Sequence, residues 1–86
     1  MEVLYIMYVD IERNVRGYQV VTLCNGIRKV YCTDSIGVAI QIVVELGKKY
    51  DIYLDASGYG SGAARMLKIL EIPHLSLIHI SEPTRP

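Results

Sequence analysis

The stretch Asp51-Ile52-Tyr53-Leu54-Asp55-Ala56-Ser57-Gly58-Tyr59-Gly60-Ser61-Gly62 decides how the rest of the chain is read. An apolar run between two acids predicts a short buried strand, Asp51 to Asp55, and the glycines after it mark a bend. Beyond the bend, Ala63, Met66, Leu67 and Leu70 recur at helical spacing, with Arg65 and Lys68 on the other side. This predicts a helix from Gly62 to Ile72, ended by Pro73. Strand, bend and helix in that order open a crevice at the strand's carboxyl end, where open α/β sheets take their ligands.

Upstream, Val3 to Ile11 is apolar almost without interruption until Asp10, the pattern of a central strand buried on both faces. Glu12 to Gly17 reads as a polar turn, Tyr18 to Cys24 as a second strand and Ile27 to Thr33 as a third. Asn25-Gly26 between the last two is the strongest short hairpin signal, a type I′ turn. Its register gathers Val21, Leu23, Val30 and Cys32 on the more apolar face and turns Thr22 and Lys29 to the other. Cys24 and Cys32 then face opposite sides, so no disulfide joins them, and free thiols fit a reducing cytoplasm.

Asp34 or Ser35 can cap a helix from Ile36 to Lys49, with Ile36, Ala39, Ile40, Val43 and Leu46 or Gly47 turned inward. The β-branched run Ile40 to Val44 would also suit a strand, but the length of the apolar pattern favours helix. Three strands joined by tight turns are antiparallel. A fourth that arrives through a helical crossover can lie parallel to the first on its free side. The expected fold is one α/β domain, β-β-β-α-β-α with a further strand as an option, and a mixed sheet in the order 3-2-1-4.

Hydrophobic residues make up 51% of the 86-residue chain and charged ones 21%, which excludes a disordered or fibrous protein. Zero formal net charge speaks against a strongly basic nucleic-acid module. No apolar run reaches the ~18 residues a membrane-spanning helix needs, and the first residues carry no basic, cleavable leader. All the aromatic residues are tyrosines, which suit half-buried sheet faces and rims.

Asp10 and Asp55 are the principal candidate site. On parallel neighbours roughly 4.8 Å apart, two carboxylates at one sheet edge can share a divalent cation such as Mg²⁺ or Mn²⁺. Glu45, late in the first helix, is a candidate third ligand. The structural reading stands beside this: Asp10 ends a strand at a turn, Asp55 closes an Asx-turn, and Glu45 is a solvated helix residue. The bend Ser57, Gly58, Tyr59, Gly60, Ser61 and Gly62 is a candidate anion or substrate loop. Gly58-x-Gly60-x-x-Ala63 is a loose dinucleotide fingerprint, although glycines chosen for positive φ and close packing explain it as well. Tyr59 could stack on a base or cover the crevice. Lys48-Lys49 with Arg28-Lys29 could form a basic patch or simply solvate two surfaces.

With its strand order, an acid on the first strand and another ending the fourth, the chain resembles the ribonuclease H-like nuclease superfamily. The segment Ile52 to Gly62 followed by Ala63 to Leu67 is most similar to phage terminase large-subunit nuclease domains. That resemblance implies two-metal hydrolysis of DNA or RNA with Asp10 and Asp55 as metal ligands. Glu45 matches the helix glutamate of ribonuclease H proper instead. Terminase and resolvase relatives carry a further acid in a later helix, which implies that these residues alone lack a full ligand set. The competing expectation is a small non-catalytic binding or assembly module, with an edge strand available for a homodimer.

Leu75-Ser76-Leu77-Ile78-His79-Ile80-Ser81-Glu82-Pro83-Thr84-Arg85 resembles the translation of a transposase adapter used in preparing DNA sequencing libraries. The expectation is a domain over 1–74, C-terminally truncated, and a non-native tail over 75–86 whose His79 and Glu82 carry no function. The alternative is a natural last strand from Leu75 to Ile80.

Overall fold

Asn25 and Gly26 both take positive φ, 55° and 79°, as a type I′ hairpin requires. The computed structural model, which describes residues 6–77, builds a mixed sheet around this hairpin. Its elements are β1 (Ile6–Asn14), β2 (Gly17–Cys24), β3 (Ile27–Thr33), α1 (Ile36–Gly47), β4 (Asp51–Asp55), α2 (Gly60–Ile69) and β5 (His74–Leu77). The sheet order is β3-β2-β1-β4-β5, antiparallel through β1, β2 and β3 and parallel from β1 to β4 to β5. The expected order 3-2-1-4 is therefore present, and the optional strand adds to it beside β4. β5 spans the expected boundary at residue 74, whereas Ile78 to Pro86, with His79 and Glu82, lie outside the described residues.

β1 continues past Ile11, because Glu12, Arg13 and Asn14 pair with Gln19, Tyr18 and Gly17. The expected turn over Glu12 to Gly17 shrinks to Val15-Arg16. Cys24 pairs with Ile27 and Cys32 with Gln19, so the two thiols are free and face opposite sides, as expected. Ser35 caps α1 by accepting from the Val38 N–H at 3.4 Å. α1 ends at Gly47, two residues short of the expected Lys49.

Burial corrects two expectations. β1 is not covered on both sides: Met7, Val9 and Ile11 are buried, but Ile6 and Tyr8 are exposed. The β2–β3 hairpin buries Val20 and Thr22 and leaves Leu23 and Val30, on the more apolar face, exposed. The physical reason is chain travel. From β3 through α1 to β4, and from β4 through α2 to β5, the chain crosses the sheet in one direction between parallel strands. Two right-handed crossovers in one direction put both helices on the same face. Ala39, Val43 and Val44 of α1 and Ala63 and Leu67 of α2 form one core with Met7, Val9, Ile11, Val20, Ile52 and Leu54. Fully burying a Leu such as Leu54 or Leu67 contributes roughly 1.5–3 kcal/mol. Met66 and Leu70, expected inward, are exposed because only a narrow stripe of α2 meets α1 and β4.

Candidate functional site

The site grows from the extension of β1 beyond the end of β4. Val9 pairs with Leu54, so the next residues, Asp10 and Asp55, stand side by side where β4 stops and β1 continues. The chain leaves β1 towards β2 on one side, and β4 lies on the other. Such a divergence of connections opens a crevice at the carboxyl ends of parallel strands. Both carboxylates belong to the helix-free face. Tyr8, Asp10, Val21, Leu23, Tyr53 and Asp55 line a shallow groove of about 190 Å³ on that face.

The electrostatics of the pair is unfavourable without a counter-charge. Partial burial, a hydrogen bond with the Glu12 side chain and the charges of Asp55 and Glu12 push the Asp10 carboxyl from 3.8 up to about 6. Glu12 in turn accepts from Gln19 Nε2 at 2.8 Å. Glu12 is the neighbour that sequence reasoning missed. The polar run from Glu12 reads as a turn, yet the alternation Asp10-Ile11-Glu12 is what a continuing strand needs to put two acids on one face.

Asp55 is also held by the bend. Its Oδ1 accepts from the Ser57 N–H at 3.0 Å and from the Ser57 hydroxyl at 2.6 Å. That is the Asx-turn of the structural reading, and it orients the carboxylate. Gly58 takes φ of 56°, and the chain enters α2 at Gly60, two residues before the expected start. At Gly60 any side chain would overlap the Asp55 carbonyl oxygen, so the bend folds tightly against the end of β4.

The remaining candidates fall elsewhere. Glu45 is exposed on α1, which packs on the face opposite the pair; its Oε2 meets Lys48 Nζ at 3.3 Å and accepts from Gln41 Nε2 at 3.0 Å. The Gly60 and Ser61 N–H groups donate to the Ser57 and Gly58 carbonyls, so two donors of the expected anion loop are already engaged. Ser61 Oγ also donates to the Gly58 carbonyl at 2.9 Å. Gly62 lies within α2 against Ile40, where an added Cβ would come within 3.0 Å of Ile40 Cδ1.

Tyr59 packs edge-on against Tyr18, with ring centroids 5.5 Å apart. The Arg13 guanidinium lies 5.8 Å from the Tyr18 ring centre, and its hydrogen bond to Tyr59 favours its charged form. This clamp ties the bend to the extended end of β1. Arg28 and Lys29 point to opposite faces of β3, opposite Leu23 and Thr22 respectively, so they form no common patch.

Among the described residues, no group of three or more His, Cys, Asp or Glu is arranged as a metal cage. Asp10 and Asp55 offer hard carboxylate oxygens with raised mutual repulsion, a donor set that suits Mg²⁺ or Mn²⁺, which complete their shells with water and substrate phosphate. No helix among the described residues is long and apolar enough to cross a membrane. No protein-family model matches the chain, and no curated protein matches it at a meaningful level.

Proposed function

We propose that this domain is a metal-dependent nucleic-acid hydrolase of ribonuclease H-like kind, related to phage terminase nuclease domains. The observation that supports it is the juxtaposition of Asp10 and Asp55 on parallel β1 and β4, at the crevice where the chain diverges. The sheet order and the acid on each of the two central parallel strands agree with that reading.

In this reading Asp10 and Asp55 hold a divalent cation, with Asp10 releasing its proton as the ion binds. A bound Mg²⁺ or Mn²⁺ supplies an activated water and stabilises the charge that develops on the phosphoryl oxygens. Ser57 fixes the rotamer of Asp55, Glu12 lies against Asp10, and the Arg13–Tyr18–Tyr59 clamp ties the bend to the end of β1. Glu45 has no part, since α1 holds it on the opposite face.

The test is calorimetric titration with Mn²⁺ of the protein and of Asp55→Asn, followed by a phosphodiesterase assay on DNA and RNA oligonucleotides. Binding that disappears in Asp55→Asn supports the reading; absence of binding by either protein removes it. The second reading is a non-catalytic binding or assembly module in the cytoplasm, including a homodimer through an edge strand. What favours it is the uncovered apolar face, where Ile6, Tyr8, Leu23 and Val30 are exposed together.

A further inference from the structure

The open face carries more than the acidic pair. Across the sheet, Arg28, Leu23, Tyr8, Tyr53 and Leu75 stand opposite one another in register on β3, β2, β1, β4 and β5. Tyr8 and Tyr53 form the middle of that row, edge to face with ring centroids 5.4 Å apart. Tyr8 is 49% exposed, and Leu23 and Leu75, which flank the two rings, are 45% and 53% exposed. Asp10 and Asp55 lie on the same strands two residues further on, hence about 6.6 Å along the strand direction. An aromatic platform thus adjoins the carboxylates within one groove.

We infer that the Tyr8–Tyr53 row is the base-binding platform of the site and that its substrate is an unpaired nucleic-acid strand. The inference rests on the hydrolase reading, because the cation held by Asp10 and Asp55 is what makes this acidic end of the face attractive to a phosphate. Exposed aromatic and apolar side chains on a sheet offer π-faces and flat area to splayed bases, and stacking of this kind tolerates any base sequence. In a duplex the base faces are already stacked on one another and cannot lie on such a row. Arg28 places a fixed positive charge at the β3 end of the row, with the cation site beside its β1–β4 centre. A strand lying across the sheet would meet the Arg28 charge at one place, a cation with coordination positions open to a phosphate oxygen at the other, and apolar surface between them. Lacking the cation, the acids repel the backbone, so binding depends on metal.

The experiment is fluorescence anisotropy of a labelled oligothymidylate and a labelled oligouridylate, with Mn²⁺ or with EDTA. It runs beside a labelled duplex and Mn²⁺ calorimetry on each protein. The expected result is Mn²⁺-dependent binding of one or both single strands, weaker binding of the duplex, and a loss of about tenfold or more in Tyr8→Ala and in Tyr53→Ala. Tyr8→Phe keeps the ring and retains binding, which separates stacking from a folding defect, and Mn²⁺ binding persists in all three variants. The two oligonucleotides distinguish DNA from RNA as the source of the strand. If Mn²⁺ binds but the single strands do not, or the duplex binds equally, or both alanine variants bind normally, the inference is overturned while metal binding stands. If Mn²⁺ does not bind at all, the hydrolase reading falls and takes the inference with it. Sedimentation that shows a dimer dissociated by Tyr8→Ala assigns the face to a second copy and likewise overturns it.

Discussion

One oxygen of Asp55, Oδ1, accepts both the Ser57 backbone N–H at 3.0 Å and the Ser57 hydroxyl at 2.6 Å. The residue that ends β4 is therefore the anchor of the bend as well as a member of the acidic pair. Ser57→Ala removes the hydroxyl bond and keeps the backbone one. For a half-buried bond to a charged group the expected cost is about 1 kcal/mol, read from urea unfolding. Because the same bond orients Asp55, the proposed metal site would lose about tenfold in Mn²⁺ affinity, the usual scale for losing a partner of a metal-ligating group. Unchanged stability would mean that the Ser57 hydroxyl contributes little to the bend beyond the backbone bond of the Asx-turn.

The Asp10 carboxyl, pushed up to about 6 by burial, Glu12 and Asp55, makes stability pH-dependent in a direction opposite to that of a salt-bridged acid. Folded protein keeps this proton up to about pH 6, while the unfolded chain releases it near the ordinary 3.8. Between those values the folded state binds more protons, so raising the pH through this window lowers stability. Above it the whole penalty is present. Asp10 remains solvent-accessible enough to reduce the effect to about 1 kcal/mol. Asp10→Asn should flatten the profile of unfolding free energy between pH 4 and 7 by that amount and be the more stable protein at pH 7. If the pair holds Mn²⁺ as proposed, the ion competes with the same proton, and its affinity for the unsubstituted protein should drop as the pH falls below about 6.

Local chemistry made the hairpin and its register readable in advance. Asn25-Gly26 admits one turn type, and that turn sets Cys24 against Ile27 and Cys32 against Gln19. Chain topology made the neighbours of β1 readable too, and with them the meeting of Asp10 and Asp55. Which face of the sheet is buried was not legible, because that depends on the side taken by both crossovers. Val21, Leu23, Val30 and Cys32 form the more apolar side of the hairpin, yet α1 packs on the hairpin and the buried residues are Val20 and Thr22. The same non-local choice separates Glu45 from the acidic pair. Glu12 was hidden for a different reason: its polar neighbours Arg13 and Asn14 mimic a turn, while their pairing with Tyr18 and Gly17 continues the strand.

Gly60 and Gly58 should respond differently to alanine. At Gly60 an added Cβ overlaps the Asp55 carbonyl oxygen, a backbone atom that cannot move without displacing the end of β4. Gly60→Ala should therefore destabilise by about 3 kcal/mol or more and shift the environment of the acidic pair. Gly58 has open space around it and only its φ of 56° to defend, so Gly58→Ala should cost about 1 kcal/mol. Thermal unfolding of the two variants side by side measures the difference. Equal losses would show that the bend does not pack against β4 in solution.

Leu54 and Leu23 test whether the second face of the sheet is open. Leu54 is fully buried beneath α2, and Leu23 is exposed on the helix-free face. Leu54→Ala removes core contacts and leaves a cavity, at an expected cost of 2–5 kcal/mol on the scale of about a Leu→Ala change in a core. Leu23→Ala takes apolar surface away from water and should stay within about 0.5 kcal/mol. Urea unfolding at two protein concentrations makes the comparison decisive, because a partner bound only to the folded state raises stability by mass action. If Leu23→Ala is costly and the cost grows with concentration, a second copy covers the face in solution. If it is neutral at both concentrations, Tyr8, Tyr53 and the acidic pair beside them stand open to a ligand, which is the condition that metal-dependent strand binding requires.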